Sequence, residues 1–173
     1  MTVSVAEISD WWTKMQQQTS TYQPAVDALK PILYGLAPRI IAIDGKNGVG
    51  KSSLGRYLSW QFKSPIVEID RYRILPNFDY LTDEIHRLIC ERTIRKTKPI
   101  FVEGIAVRWV LQAAKFRPDF CVYVKNGHES DVNVIREGDI AERLEAYERE
   151  FGPESSADLV INNDIDHFPY SAT

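Results

Sequence analysis

Short apolar runs alternate with amphipathic stretches along most of the chain, from residue 39 onward. The runs have the length and composition of buried strands and lie at 39–44, 65–70, 99–104, 120–124 and within 157–164. Between them, apolar residues recur at helical spacing from Lys51, from Leu81 towards residue 97, from Val107 to Ala114 and over about 138–150. This alternation predicts a three-layer α/β domain, in which helices cover both faces of a five-stranded parallel sheet.

The N-terminal residues have helical spacing and no strand-like run. One apolar stripe consists of Val5, Ile8, Trp12 and Met15, and a second consists of Val26, Leu29, Leu33 and Leu36. The segment TSTYQP at 19–24, which separates the stripes, has a turn-like composition. We therefore predict an N-terminal helical extension over 1–38 that packs on a main domain over 39–173.

The composition is that of a soluble globular protein, with 44% hydrophobic and 26% charged residues. A net charge of −3 argues against the strongly basic face that nucleic-acid binding usually requires. No apolar run approaches the ~20 residues that span a membrane, and no signal-peptide pattern opens the chain. Cys90 and Cys121 favour buried free thiols over a disulfide, so a reducing compartment, the cytoplasm, is expected.

The stretch between the first strand and the following helix matches the pattern G-x-x-x-x-G-K-[ST] at every fixed position. Its residues are Gly45, Lys46, Asn47, Gly48, Val49, Gly50, Lys51, Ser52 and Ser53. Glycines let the backbone curl so that N–H groups point at phosphate oxygens, and the new helix adds the positive end of its dipole. We expect Lys51 to reach the β- and γ-phosphates of a nucleotide and Ser52 to ligate Mg²⁺, a hard cation that prefers oxygen.

Carboxylates end two of the other predicted strands, and parallel topology brings them to the same sheet edge as the phosphate loop. Asp70 ends the second run, where a carboxylate can accept the proton of a hydroxyl that attacks the γ-phosphate. Glu103 ends the third run and has two open interpretations: it holds Mg²⁺, directly or through water, or it caps the next helix. Asp44 precedes the loop and is left outside the catalytic set, because it can simply cap the turn.

The surrounding motifs favour phosphate transfer over the other activities of phosphate-loop proteins. A GTPase needs N-K-x-D to read the base and D-x-x-G after a strand; neither is found, and NND at 162–164 lacks the lysine. A motor-type ATPase usually has an aspartate, often followed by a catalytic glutamate, where this chain has Glu103-Gly104. Two alternatives stay open: an ATPase or GTPase switch, and a regulatory protein that binds ATP without catalysis.

Four segments, taken in order, resemble the uridine kinase-like branch of the P-loop nucleoside and nucleotide kinases. They are IAIDGKNGVGKSSL, VEIDRYR, IFVEGI and IREGDIAER, and the resemblance covers roughly residues 39–164. It implies the strand order 2-3-1-4-5, ATP and Mg²⁺ as cofactors, and a kinase that moves the γ-phosphate to a small hydroxyl-bearing acceptor. By resemblance, that acceptor is nucleoside- or nucleotide-like.

The resemblance also implies roles for the residues that match its motifs. Asp70 matches the aspartate that serves as general base, and Glu103 matches the glutamate that precedes a glycine at the end of the third strand. Arg136 and Arg143 match lid arginines that stabilise the transferring phosphoryl group, a task suited to a forked and permanent charge. The implied lid lies around 126–150.

The chain departs from the family pattern on the acceptor side. DRYR replaces the family's D-[DS]-F-Y, so Tyr72 and Arg73 take the substrate-facing positions next to the general base. The lid and the segment after DRYR are both short, which favours an acceptor smaller than a nucleoside or different in kind. Asn162 and Asn163 lie where some family members approach the adenine, and a simple turn is an equal alternative. A homo-oligomer is compatible with the sequence.

Overall fold

The computed structural model describes residues 20–33, 39–74, 79–94, 98–126 and 139–163. The strands are β1 (Ile40–Asp44), β2 (Ile66–Glu68), β3 (Arg73–Ile74), β4 (Asp79–Tyr80), β5 (Ile100–Glu103), β6 (Phe120–Lys125) and β7 (Leu159–Asn162). The helices are α1 (20–33), α2 (Lys51–Gln61), α3 (Thr82–Ile94), α4 (Val107–Ala113) and α5 (Asp139–Phe151), with a 3-10 helix at Ile69–Tyr72.

The main sheet has five parallel strands in the order β2-β5-β1-β6-β7. Counted along the chain within this sheet, that is the order 2-3-1-4-5, so the predicted order and fold class are confirmed. Strand β1 has β5 on one side and β6 on the other. The phosphate loop, which starts where β1 ends, therefore lies at the centre of the carboxyl edge, where open α/β sheets bind their ligands.

Alternate residues of β1 point into different hydrophobic cores. On one face, Ile41 and Ile43 pack into the core that α1 and α2 complete. On the other face, Ile40 and Ala42 pack into the core that α3 and α4 complete. The uninterrupted apolar run of β1, rather than an alternating one, is the sequence signature of this two-sided burial.

Helix α1 contributes to the core of the main domain. Tyr22, Val26 and Leu29 are buried in the same cluster as β1 and α2. The turn predicted at 19–24 is wrong for residues 20–24, which are helical. The physical reason is the burial of Tyr22, which the helical conformation of this segment places in the core.

The predictions for the N-terminal stripe and for the two cysteines have different outcomes. The stripe from Val5 to Met15 lies outside the described residues, and the division into 1–38 and 39–173 stays a prediction. Cys90 and Cys121 are free thiols, as predicted, but both are half-buried rather than buried. Among the helices that the structure describes, none is both long and apolar enough to cross a membrane.

The second strand is shorter than its apolar run. Strand β2 ends at Glu68, and a turn of 3-10 helix follows, so Asp70 lies just beyond the strand. Ile69 is buried in the core, and Asp70 is exposed. The chain then forms the antiparallel pair β3 and β4, which the sequence did not predict because strands of two residues are too short for a period-two pattern.

Candidate active site

The phosphate loop connects β1 to α2 and requires glycine at its first position. Gly45 has a φ of +145°, and a Cβ there would lie 2.2 Å from the carbonyl oxygen of Val124 on β6. A side chain would therefore force the loop away from the neighbouring strand. Residues 46–48 are exposed, and α2 begins at Lys51, so the positive end of the helix dipole lies at the loop.

Lys51 is folded into the loop. Its ammonium group donates to the carbonyl oxygen of Lys46 at 2.6 Å, and 5% of the residue is exposed. Burial lowers the pKa of Lys51, and the carboxylates of Asp70, Glu103 and Asp44 oppose that shift. A desolvated cation at the start of a helix, bonded to a neutral carbonyl, can exchange that acceptor for a charged phosphate oxygen.

Ser52 and Glu103 form the part of the site that suits a divalent cation. The Ser52 hydroxyl donates to Oε1 of Glu103 at 3.0 Å, and Glu103 is buried at the end of β5. Within the described part of the chain, Oε2 of Glu103 is buried without a hydrogen-bond partner. A metal ion or a metal-bound water would satisfy this oxygen. Hydroxyl and carboxylate oxygens are the ligands that Mg²⁺ prefers, so the predicted ligands fit the ion.

Asp70 lies exposed on the 3-10 helix that follows β2. Its Oδ1 accepts from the Tyr80 hydroxyl at 3.3 Å and from the backbone N–H of Ile105 at 3.4 Å. Gly104 allows this approach, since a Cβ there would lie 2.2 Å from the side chain of Ile69. The carboxylate is thus oriented from two sides and stays accessible, as a general base must.

Tyr72 and Arg73, the residues predicted to contact the substrate, lie where the chain enters β3. The Tyr72 carbonyl accepts from the N–H of Leu81 at 2.9 Å, and the Tyr72 side chain packs against the core beneath α3 and α4. Arg73 is opposite Tyr80 in the β3–β4 register, and its charge acts on the Tyr80 hydroxyl. The Tyr72 side chain therefore contributes to core packing, whereas Arg73 lies near the Tyr80 hydroxyl, which donates to Asp70.

An open cavity of about 560 Å³ lies beside Tyr80 and is lined by residues of β4, α3, α4 and α5. Its lining includes Tyr80, Thr82, Trp109, Gln112 and Arg143. The indole N–H of Trp109 donates to Glu150 at 2.7 Å, which joins α4 to α5 across the wall. The cavity has the size of a small-molecule site, and through Tyr80 it adjoins the Asp70 carboxylate.

One of the two predicted lid arginines lies in the described part of the chain. Arg143 is exposed on α5, and its guanidinium donates to Asp79 of β4 at 2.9 Å, at the wall of the cavity. Arg136 lies outside the described residues, as do residues 127–138 of the predicted lid. The helix predicted over about 138–150 is confirmed as α5. The action of Arg143 on a transferring phosphoryl group stays a prediction.

The two asparagines at the end of β7 have different surroundings. Asn162 is exposed, whereas Asn163 is 1% exposed. The side-chain amide of Asn163 donates to the carbonyl oxygen of Val49 at 2.8 Å, and its backbone N–H donates to the carbonyl of Lys125 at 2.7 Å. Asn163 thus ties β7 to the phosphate loop, a role that the sequence did not indicate.

Asp44 is buried at the end of β1, with 3% of the residue exposed. Its Oδ1 accepts from the N–H of Gly45 at 2.8 Å, and its Oδ2 accepts from the hydroxyl of Tyr147 on α5. Burial raises the pKa of Asp44 to about 6, although these bonds and the charges of Lys51 and Arg108 act to lower it. Asp44 therefore caps the turn, and it also binds a helix 103 residues further along the chain.

Sequence reasoning did not single out Tyr80 or Tyr147. Leu144, Tyr147 and Phe151 are spaced as one face of a helix, so the pattern indicates burial. It contains no signal for the partner of the hydroxyl, which comes from a strand far away in sequence. Tyr80 lies in a strand of two residues, for which the sequence has no usable pattern.

The chain has the fold of the P-loop kinases. It is similar to the structure of a possible uridine kinase from Bacillus stearothermophilus, with a TM-score of 0.57 and 16% identity over 86% of this chain and 99% of that chain. At this identity, the likeness shows the fold alone.

Two further solved structures are less similar to this chain. TT1252 from Thermus thermophilus has a TM-score of 0.48 and 21% identity over 73% of this chain and 89% of that chain. Shikimate kinase from Aquifex aeolicus has a TM-score of 0.48 and 18% identity over 72% of this chain and 86% of that chain. No family model and no curated protein matches the sequence.

Proposed function

We propose that this protein is an ATP-dependent phosphotransferase, which moves the γ-phosphate of ATP to a hydroxyl group of a small acceptor with Mg²⁺ as cofactor. The observation that carries the proposal is the position of Asp70, whose charge acts on Lys51 of the phosphate loop. The same carboxylate adjoins, through Tyr80, a cavity of about 560 Å³. A switch protein needs space for nucleotide and water alone, whereas such a cavity suits a second substrate.

On the nucleotide side, backbone N–H groups of the loop and the start of α2 bind the phosphates. Lys51 exchanges the Lys46 carbonyl for oxygens of the β- and γ-phosphates. Ser52 and Glu103 would hold Mg²⁺, which would neutralise charge on those phosphates. Asn163 keeps the loop in place through its bond to Val49.

On the acceptor side, Asp70 accepts the proton of the acceptor hydroxyl while the hydroxyl oxygen bonds to the γ-phosphorus. The bond between that phosphorus and the β–γ bridging oxygen breaks, and ADP leaves with the electron pair. Lys51 stabilises charge on the transferring group, and so, by prediction, do Arg136 and Arg143. Most of the rate enhancement in such a site comes from positioning and electrostatics rather than from covalent chemistry.

The acceptor that we propose is nucleoside-like or nucleotide-like, as in the family that the sequence motifs resemble; a smaller acceptor, which the short segment after DRYR favours, is the alternative. Trp109 and Tyr80 offer aromatic surfaces to a planar ring, and Gln112 and Thr82 offer hydrogen bonds to its polar groups. We further propose that the protein works on small molecules in the cytoplasm, without a nucleic-acid or membrane partner. A homo-oligomer is compatible with this role.

Transfer of labelled γ-phosphate from ATP to a panel of nucleosides, nucleotides and sugars tests the proposal. We expect ADP formation that depends on one acceptor class and matches the phosphorylated product in amount. Lys51→Ala should abolish it, whereas Lys30→Ala, which removes an exposed lysine from α1, should not. Acceptor-independent hydrolysis, or a strong preference for GTP, would indicate a switch. Tight ATP binding without turnover on any acceptor would indicate a regulatory protein.

A further inference from the structure

The carboxylate of Asp44 is bonded on both of its oxygens. Oδ1 accepts from the N–H of Gly45, the first residue of the phosphate loop, at 2.8 Å, and Oδ2 accepts from the Tyr147 hydroxyl. The carboxylate therefore joins the start of the loop to α5 through a single side chain. No step of the proposed reaction uses this link.

Tyr147, which makes this connection, is buried on α5, with 2% of the residue exposed. Its ring contacts those of Trp109 and Phe151, with centroid distances of 5.6 Å and 5.1 Å. Arg143 precedes Tyr147 by four residues, and so lies one turn away on the same side of the helix. Arg143 and Trp109 both line the cavity, so the hydroxyl of Tyr147 connects the phosphate loop to the helix that forms the cavity wall.

A carboxylate at position 44 lowers the stability of the folded state, because its surroundings desolvate the charge. Burial raises its pKa. The charged and titratable groups that interact with Asp44 include Lys51 of α2, Arg108 of α4, Tyr147 of α5, Tyr80 of β4, and Cys121 and Tyr123 of β6. An apolar pair could join a strand end to a helix without the cost of desolvating a charge. Such a group, kept at the edge of a ligand site, points to a functional use.

We propose that Asp44 and Tyr147 are a positioning pair that fixes α5 relative to the phosphate loop and so holds the nucleotide site and the acceptor cavity in register. The consequence for catalysis rests on the proposed function; the mechanical link between loop and helix does not. The pair touches neither substrate, and its effect is on the distance and orientation between the two.

The activity arm of the test uses Tyr147→Phe, which removes the hydroxyl and keeps the ring. We expect kcat for phosphate transfer to fall by about 10- to 100-fold, because misplaced reactants lose rate steeply. The Kd for ATP should change by less than about threefold, and the melting temperature by only a few degrees, as for one lost hydrogen bond. Tyr57→Phe, which removes a half-buried hydroxyl on α2, is the matched control and should leave kcat unchanged. A melting-temperature loss with unchanged kcat would overturn the proposal.

Asp44→Asn provides the rescue variant. Its amide oxygen can still accept from Gly45, and its NH₂ group can donate to the Tyr147 oxygen, so the geometry is kept without the charge. We expect this variant to retain most of the transfer activity. Loss of transfer in Asp44→Asn, with normal transfer in Tyr147→Phe, would show that Asp44 acts directly in the reaction and would contradict a positioning role.

A second arm does not depend on catalysis. Amide hydrogen exchange of the wild type and Tyr147→Phe should show faster exchange in both residues 45–50 and residues 141–151, and no such change in Tyr57→Phe. Faster exchange confined to α5 would mean that the bond is only a local contact, and the proposal would fail. If the wild type transfers phosphate to no acceptor, the proposed function fails, and the exchange result still decides the link between loop and helix.

Discussion

The Ser52 hydroxyl donates to Oε1 of Glu103 at 3.0 Å, and this bond joins the first turn of α2 to the end of β5. It leaves Oε2 of Glu103 buried without a hydrogen-bond partner in the part of the chain that the structure describes. Burial raises the pKa of Glu103, because the Ser52 bond and the Lys51 charge compensate the desolvation only in part. The pair therefore has the unsatisfied oxygen that a divalent cation would complete.

Glu103→Gln should show separately how much stability the buried carboxylate costs and how much it contributes to Mg²⁺-dependent activity. We expect a higher free energy of unfolding without metal, since a desolvated carboxylate is removed. We expect Mg²⁺-dependent transfer to fall by roughly 10- to 100-fold, with a higher Mg²⁺ requirement. Denaturant unfolding and Mg²⁺ titrations of the activity measure the two effects. Glu91→Gln, at an exposed carboxylate of α3, is the control; equal effects in both variants would remove Glu103 from the cation site.

The free energy of unfolding should depend on pH because Asp44 is buried. Its pKa rises from 3.8 to about 6 on burial, so its contribution to stability is fully present below the unfolded value and is lost as pH rises through the folded one. Relative to the wild type, Asp44→Asn should therefore gain on the order of 3 kcal/mol in free energy of unfolding between about pH 4 and pH 7. Urea unfolding of both proteins across this range measures the difference, and a pH-independent difference would contradict the buried carboxylate.

Tyr80→Phe should weaken the orientation of Asp70 without disturbing the nucleotide. The Tyr80 hydroxyl lies 3.3 Å from both Asp70 Oδ1 and the carbonyl oxygen of Ile105. Its loss should lower kcat by about 5- to 10-fold, the effect of roughly one hydrogen bond, while the Kd for ATP stays the same. Steady-state kinetics and ATP titration check this result against Tyr57→Phe. A change in ATP affinity alone would place Tyr80 on the nucleotide side.

Arg143→Ala distinguishes a catalytic arginine from a surface ion pair. Its pair with Asp79 is nearly half exposed on both sides, so the variant should lose less than about 1 kcal/mol of stability. If Arg143 stabilises the transferring phosphoryl group, kcat should fall by about 100-fold or more, with only partial recovery in Arg143→Lys. Kinetics combined with thermal unfolding decides the matter. Equal kcat in the wild type and Arg143→Ala would mean that Arg143 forms only a surface ion pair with Asp79 and has no part in catalysis.

The fold was readable from the sequence because the central strands β1 and β5 are almost continuous apolar runs. The continuous burial of β1 and β5 leaves a strong pattern, and the glycine-lysine-serine loop between β1 and α2 locates the phosphate site. Each of these features is formed by residues that are close together in the sequence, so the sequence alone indicates it. Asp70 and Glu103 could be placed because parallel strands end at one edge.

Two of the contacts missed by sequence reasoning join distant segments. Tyr147 and Asp44 are 103 residues apart, and Asn163 and Val49 are 114 apart. A helical stripe indicates that Tyr147 is buried, but a side-chain hydroxyl can find its acceptor anywhere in the core. Tyr80 was missed for another reason: a strand of two residues has no period to detect.

The most direct test of the account is phosphate transfer by Asp70→Asn, measured together with ATP affinity. The account predicts that the variant binds ATP as the wild type does, because Lys51 and the loop are intact, and that transfer to the acceptor is lost, because no carboxylate accepts the hydroxyl proton. Asp27→Asn, at an exposed carboxylate of α1, should behave as the wild type. Undiminished transfer by Asp70→Asn would contradict the assignment of the base and the mechanism built on it.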